Sequence, residues 1–320
     1  MDLSDNAFGL NTVESLVLFL RRHNPLKHLI LQNNGLGPAA GAMVADALTE
    51  LAEKKAKARE KEEGNGVPEL ETLICGRNRL ENGSMGAWAR CFGAHRHVRE
   101  VKMVQNGIRQ EGIMLLFSEG LAQCEDLRVL DLQDNTFTIT GAEALCSSLG
   151  KWKELKELGV GDCLLGARGG VKLGEELGKG ENKGLEVIRA QYNEIDARGV
   201  KALFDAADAL PKLKRVEING NKFAEDDEGV EGLRTLLDDR KEKAGGEGEE
   251  GAWGLDELSD LEEESDEEDE EEAEEDEEEE KRERVLKEAD QEEAENVAEK
   301  KDADVDALAD ELGGTHIKSP

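Results

Sequence analysis

The sequence predicts an α/β horseshoe, with parallel strands on a concave face, helices on the convex face, and a disordered acidic tail behind it. Three observations predict this. An eleven-position frame, L-x-x-L-x-L-x-x-N-x-L with apolar replacements, recurs seven times between Leu26 and Phe223. From Leu70 onward its copies begin 28, 29, 28, 30 and 28 residues apart. Beyond Lys243 the apolar content falls away, and 20 of the 27 residues from Gly254 to Glu280 are Asp or Glu. A frame of this kind at this period is the mark of a long leucine-rich repeat.

The elements follow in order. MDLSDNAF opens the chain as a partial copy. The full copies are LKHLILQNNGL from Leu26, LETLICGRNRL from Leu70, VREVKMVQNGI from Val98 and LRVLDLQDNTF from Leu127. LKELGVGDCLL from Leu155, LEVIRAQYNEI from Leu185 and LKRVEINGNKF from Leu213 complete them. In each, L-x-L reads as a short strand whose leucines share the inward face. The asparagine at position nine is expected to turn inward and bond the backbone of the turn, with Cys163 replacing it once. An amphipathic helix follows each frame. In GPAAGAMVADALTEL, Met43, Ala47 and Leu51 lie on one face.

Between the first two full frames the spacing is 44 residues. The surplus around Glu53 to Pro68 reads as a charged helix extension and a loop. Residues 1–243 are thus expected to form a repeat domain of about eight units, the first partial. Residues 244–320 are expected to form a disordered acidic tail, because a charge run buries too little apolar surface to offset chain entropy. The helix-forming stretch 281–312 is expected to be a transient helix.

Composition narrows the function. The net charge of -34 opposes binding to nucleic acid or anionic lipid. No apolar run is long enough to span a bilayer, and the first apolar segment is broken by charged and amide residues, unlike a signal peptide. The five cysteines form no C-x-x-C pair, and the five histidines supply no metal cluster. They are expected to be small buried side chains in a reducing compartment. Neither a phosphate-binding GxxxxGK[ST] loop nor a GxSxG elbow is present, so no catalytic constellation of the chain's own is expected.

In LQNNGL, Asn34 occupies position nine and is architectural. Asn33 precedes it at the strand's end and is expected to face solvent. Its counterparts are Asp5, Arg77, Gln105, Asp134, Asp162, Tyr192 and Gly220. Stacked repeats place them in one row along a rim. The row is polar and mixed in sign, which suits a folded partner better than a phosphate. Next to it, GRNRLENGS places Arg77 and Arg79 on either side of the architectural Asn78.

LSDNAFG, LQNNGLGP, GRNRLENGSM, VKMVQNGIR, VLDLQDNTFT and AQYNEI, followed by an acidic tail, resemble the Ran GTPase-activating proteins of fungal type. The likeness covers residues 1 to about 240. It implies a regulator that binds Ran in its GTP state and stimulates hydrolysis, with GTP and magnesium held by the partner and no cofactor of its own. It also implies a role in nucleocytoplasmic transport, a cytoplasmic location extending to the nucleus or nuclear envelope, and contact with a Ran-binding protein or transport receptor. A monomer is expected. By resemblance Asn33 helps fix the GTPase's catalytic glutamine, and Arg77, Arg79 and Asp134 contact Ran; Gln105 and Asp162 join them by position in the row. Family members carry a further Thr-Gly-Arg segment before LSDNAFG, so a shortened chain with an uncapped first repeat is expected. Two other readings stay open: a protein-binding or inhibitor module without GTPase activation, and a tail-driven chaperone for basic proteins.

Overall fold

The computed structural model describes residues 1–61, 66–246 and 251–262. Residues 1–263 group as one compact unit. The acidic run from 263 onward and the helix expected over 281–312 lie outside the described residues.

Each frame forms a three-residue strand: β1 (His28–Ile30), β2 (Thr72–Ile74), β3 (Glu100–Lys102), β4 (Val129–Asp131), β5 (Glu157–Gly159), β6 (Val187–Arg189) and β7 (Arg215–Glu217). They pair in chain order, all parallel, in one sheet. The register sets equal frame positions side by side. Leu29, Leu73, Val101, Leu130, Leu158, Ile188 and Val216 form one continuous row, and none is more than 1% exposed.

The other layer is helical: α1 (Val13–Leu20), α2 (Gly37–Lys61), α3 (Glu81–Ala94), α4 (Gln110–Leu115), α5 (Thr138–Leu149), α6 (Gly166–Gly178), α7 (Ala197–Ala206) and α8 (Glu228–Ala244). A π turn (Leu116–Gly120) prolongs α4. Each helix packs on the next. Paired strands sit about 4.8 Å apart and packed helices about 8–10 Å, so the stack curves with its strands inside. At Gly174 the backbones of α6 and α7 touch: a Cβ there would lie 2.5 Å from the Ala202 carbonyl carbon.

The inward asparagines form a ladder. Asn34, Asn78, Asn106, Asn135, Asn193 and Asn221 are all buried. Each amide oxygen accepts from a backbone N–H of the preceding repeat: Asn78 Oδ1 from Asn34 N at 2.8 Å, Asn106 Oδ1 from Asn78 N at 2.9 Å, Asn135 Oδ1 from Asn106 N at 3.2 Å. Each Nδ2 donates to a carbonyl of that repeat, as Asn106 does to Cys75 O at 2.9 Å. Cys163 interrupts the series. Its N–H donates to Asn193 Oδ1 at 2.9 Å, while its own thiol makes weak contacts to Gly161 O at 3.3 Å and Leu132 O at 3.5 Å. All five cysteines are free and buried.

The extra residues after β1 lengthen α2 as expected. Lys55 is completely buried, and its ammonium donates to Leu26 O and, at 2.7 Å, to Pro68 O. Burial holds its pKa down at about 8. Nearby, His95 is 2% exposed and bonds Leu48 O at 2.9 Å through Nε2. A carbonyl only accepts, so that nitrogen carries a proton, and burial disfavours the charged ring. Burial lowers its pKa to about 4.

At the start of the chain, Asp2 bridges Ile30 in parallel, and Leu3 N donates to Ile30 O at 2.8 Å. Leu10, Leu18 and Phe19 at this end are 59%, 53% and 43% exposed. At the other end the structure corrects the expected boundary at 243. A further strand, β8 (Gly254–Leu255), pairs with β7. Arg215 Nη1 donates to Trp253 O and Leu255 O at 3.2 and 2.9 Å. Asp256 accepts from Ile218 N and Asn219 N at 2.9 and 3.0 Å. Leu255, Leu258 and Leu261 pack on the core. These leucines cover the open end of the last repeat while their acidic neighbours take up backbone donors or face solvent. Among the described residues the repeat unit therefore extends past 243 to Glu262.

Candidate partner-binding rim

The residues after each strand share an unusual backbone. Asp5, Asn33, Arg77, Gln105, Asp134, Asp162, Tyr192 and Gly220 all have φ between 52° and 70°. The left-handed region costs a non-glycine residue about 1–2 kcal/mol, and the array compensates. The N–H of each rim residue from Asp5 to Tyr192 donates to the next repeat: Asn33 to Gly76 O at 2.9 Å, Arg77 to Val104 O at 2.8 Å, Gln105 to Gln133 O at 2.9 Å, Asp134 to Gly161 O at 3.0 Å and Asp162 to Gln191 O at 2.8 Å. The main chain is thereby tied down while the side chain turns away from the core. The following asparagine points the other way, into the ladder.

This geometry puts the sequence-predicted residues on one rim. Asn33, Arg77, Arg79, Gln105 and Asp162 are exposed, and Asp134 is half-buried. A second left-handed position, at Arg79 (φ 54°), explains why two arginines flank a buried Asn78 and both emerge. Among the described residues neither guanidinium has an ion-pair partner. Arg79, Gln105, Asp134 and Asp162 are brought together in the lining of an open cleft of about 400 Å³, with Glu81 and Leu164. Asn33 and Arg77 do not line the cleft; they stand in the repeats before it. The rim is mixed in sign: Asp5 precedes the neutral amide of Asn33, Arg77 and Arg79 follow with Glu81 in the cleft, and Asp134 and Asp162 lie beyond them.

Three features of the rim escaped the sequence. Leu164 is left-handed (φ 53°) and 46% exposed, at a frame position where the first three full repeats carry Gly35, Arg79 and Gly107; an apolar residue there was the available signal. Tyr192 is exposed but engaged. Its ring covers Gly220, where a Cβ would lie 2.1 Å from Cδ1, and its hydroxyl donates to Asp260 Oδ2 at 2.9 Å. Asn33, finally, has a partner: Nδ2 donates to Asp5 Oδ1 at 2.6 Å.

Comparison with known proteins agrees with the architecture. A family model described as Leucine Rich repeat matches residues 123–146. The Ran GTPase-activating protein 1 of Saccharomyces cerevisiae is 41% identical over 244 residues, 75% of this chain and 58% of the relative. The Ran GTPase-activating protein of Drosophila melanogaster is 33% identical over 229 residues, 71% of this chain and 37% of the relative. The Ran GTPase-activating protein 2 of Caenorhabditis elegans is 43% identical over 115 residues, 35% of this chain and 11% of the relative. The chain thus spans little more than half of the yeast relative and less of the other two. By its repeat frame, its parallel sheet and these relatives, the chain is a leucine-rich-repeat protein related to the Ran GTPase-activating proteins.

Proposed function

We propose that this chain binds Ran in its GTP state along the left-handed rim and accelerates hydrolysis of the bound nucleotide. The observation that carries the reading is the exposure of Asn33 beside free arginines on a row whose backbone is pinned repeat to repeat. Phosphoryl transfer to water is governed by positioning and electrostatics, and a GTPase's own glutamine orients the attacking water. A neutral amide suits the task of holding that glutamine, because it donates and accepts without adding charge beside the phosphates. Arg77 and Arg79 make directed pairs with carboxylates of the partner, and Gln105, Asp134 and Asp162 complete the contact. GTP and magnesium stay with the GTPase, so the chain acts as a monomeric activator without a cofactor. On this reading it works in the cytoplasm and at the nuclear envelope, alongside a Ran-binding protein or transport receptor.

The test is single-turnover GTP hydrolysis by Ran at rising concentrations of this chain. Asn33→Ala is expected to lower the saturating rate at least about tenfold with little change in the half-saturating concentration. Arg77→Ala and Asp134→Ala are expected to raise the half-saturating concentration instead. An Asn33→Ala chain that stimulates as well as the parent overturns the assignment.

A further inference from the structure

We propose that Asp5 is a positioning residue that sets which end of the Asn33 amide meets the partner; this rests on the function proposed above. The carboxylate of Asp5 only accepts hydrogen bonds, so the group facing it at 2.6 Å has to be Nδ2. That contact removes the two-fold ambiguity of an amide. It turns Oδ1 outward, and among the described residues nothing donates to that oxygen. Asn33 therefore offers an acceptor, with its second N–H still free. The partner's glutamine meets it through its own NH2 and keeps its carbonyl oxygen for the water. The bond joins side chains 28 residues apart, and no other neighbouring pair in the row is hydrogen-bonded side chain to side chain among the described residues. Asp5 is itself held in place: it is left-handed, with φ 59°, and its N–H donates to Gln32 O at 3.0 Å.

Without Asp5 the Asn33 amide samples both orientations and several rotamers, a loss of alignment that costs rate rather than affinity. The experiment uses the full chain with Ran and GTP. Asp5→Ala is expected to lower the saturating rate about tenfold, with the half-saturating concentration within about twofold of the parent. Asp5→Asn, whose Oδ1 can still accept from Asn33, is expected to recover most of that rate. The double variant Asp5→Ala/Asn33→Ala is expected to be no slower than Asn33→Ala alone, because one residue acts through the other. The side-chain NH2 resonances of Asn33, assigned by their absence in Asn33→Ala, should move in Asp5→Ala and return in Asp5→Asn. If Asn33→Ala is impaired while Asp5→Ala keeps the parental rate, the role of Asp5 is overturned and that of Asn33 stands. A fully active Asn33→Ala refutes both. An Asp5→Ala defect that Asp5→Asn does not repair, with unmoved Asn33 resonances, assigns the loss to end fraying and overturns the proposal.

Discussion

Replacing Asn106 by alanine removes one rung of the ladder without touching the rim. Asn106 is completely buried. Its Nδ2 donates to Cys75 O and Met103 O, both at 2.9 Å, and its Oδ1 accepts from Asn78 N at 2.9 Å. Met103 O keeps a donor, because Asn135 Nδ2 also reaches it at 3.0 Å. The substitution thus orphans two groups, the Asn78 N–H and the Cys75 carbonyl. Each unsatisfied buried group costs about 1–3 kcal/mol, so the loss should be about 2–6 kcal/mol. Urea unfolding followed by far-ultraviolet circular dichroism measures it as a lower midpoint with the slope unchanged. The neighbouring Gln105→Ala, on the solvent side, should stay within about 0.5 kcal/mol of the parent. An Asn106→Ala chain less than about 1 kcal/mol below the parent would refute the idea that the amides, rather than the leucines alone, hold the turns.

Three further outcomes follow from the same packing. Cys163→Asn should restore the missing rung and raise stability by about 1 kcal/mol, read in the same urea titration; a lower midpoint means the site lacks room. His95 takes up a proton near pH 6.5 when unfolded and at about 4 when folded. Its contribution is present above that window, lost as pH falls through it, and worth about 3 kcal/mol; His95→Gln should flatten the slope of stability against pH between 6.5 and 4. Gly220→Ala should push the Tyr192 ring off its seat, since φ there is 70° and the ring lies 2.1 Å from the new carbon. Release of Asp260 should then show as faster proteolysis of the 251–262 segment, and unchanged cleavage would count against the stapling role of Tyr192.

The leucine frame made the strands, their register and the inward amides legible, because a period of two decides faces and a fixed repeat decides neighbours. The exposure of Asn33 was legible for the same reason. Its bond to Asp5 was not: both residues face solvent 28 positions apart, and exposed polar pairs leave no pattern in a sequence. The stretch from Trp253 to Leu261 was hidden by composition. Its three leucines are spaced to cover a surface, but the carboxylates among them dominate any average over the segment. The left-handed rim was half visible. Asp and Asn tolerate that conformation and hint at it, whereas Arg77, Gln105 and Tyr192 adopt it only because the neighbouring repeat supplies an acceptor.

Lys55 has a consequence for how this chain accommodates changes in length. By holding Leu26 O and Pro68 O with one ammonium, it ties the lengthened helix to the chain just before β1 and just before β2, one knot for two successive strands. The pairing of Leu29 with Leu73 is then indifferent to what is threaded between Lys61 and Gly66. Foreign peptides spliced there should leave the coil intact, which makes this knot a natural port for tags, sensors or tethers.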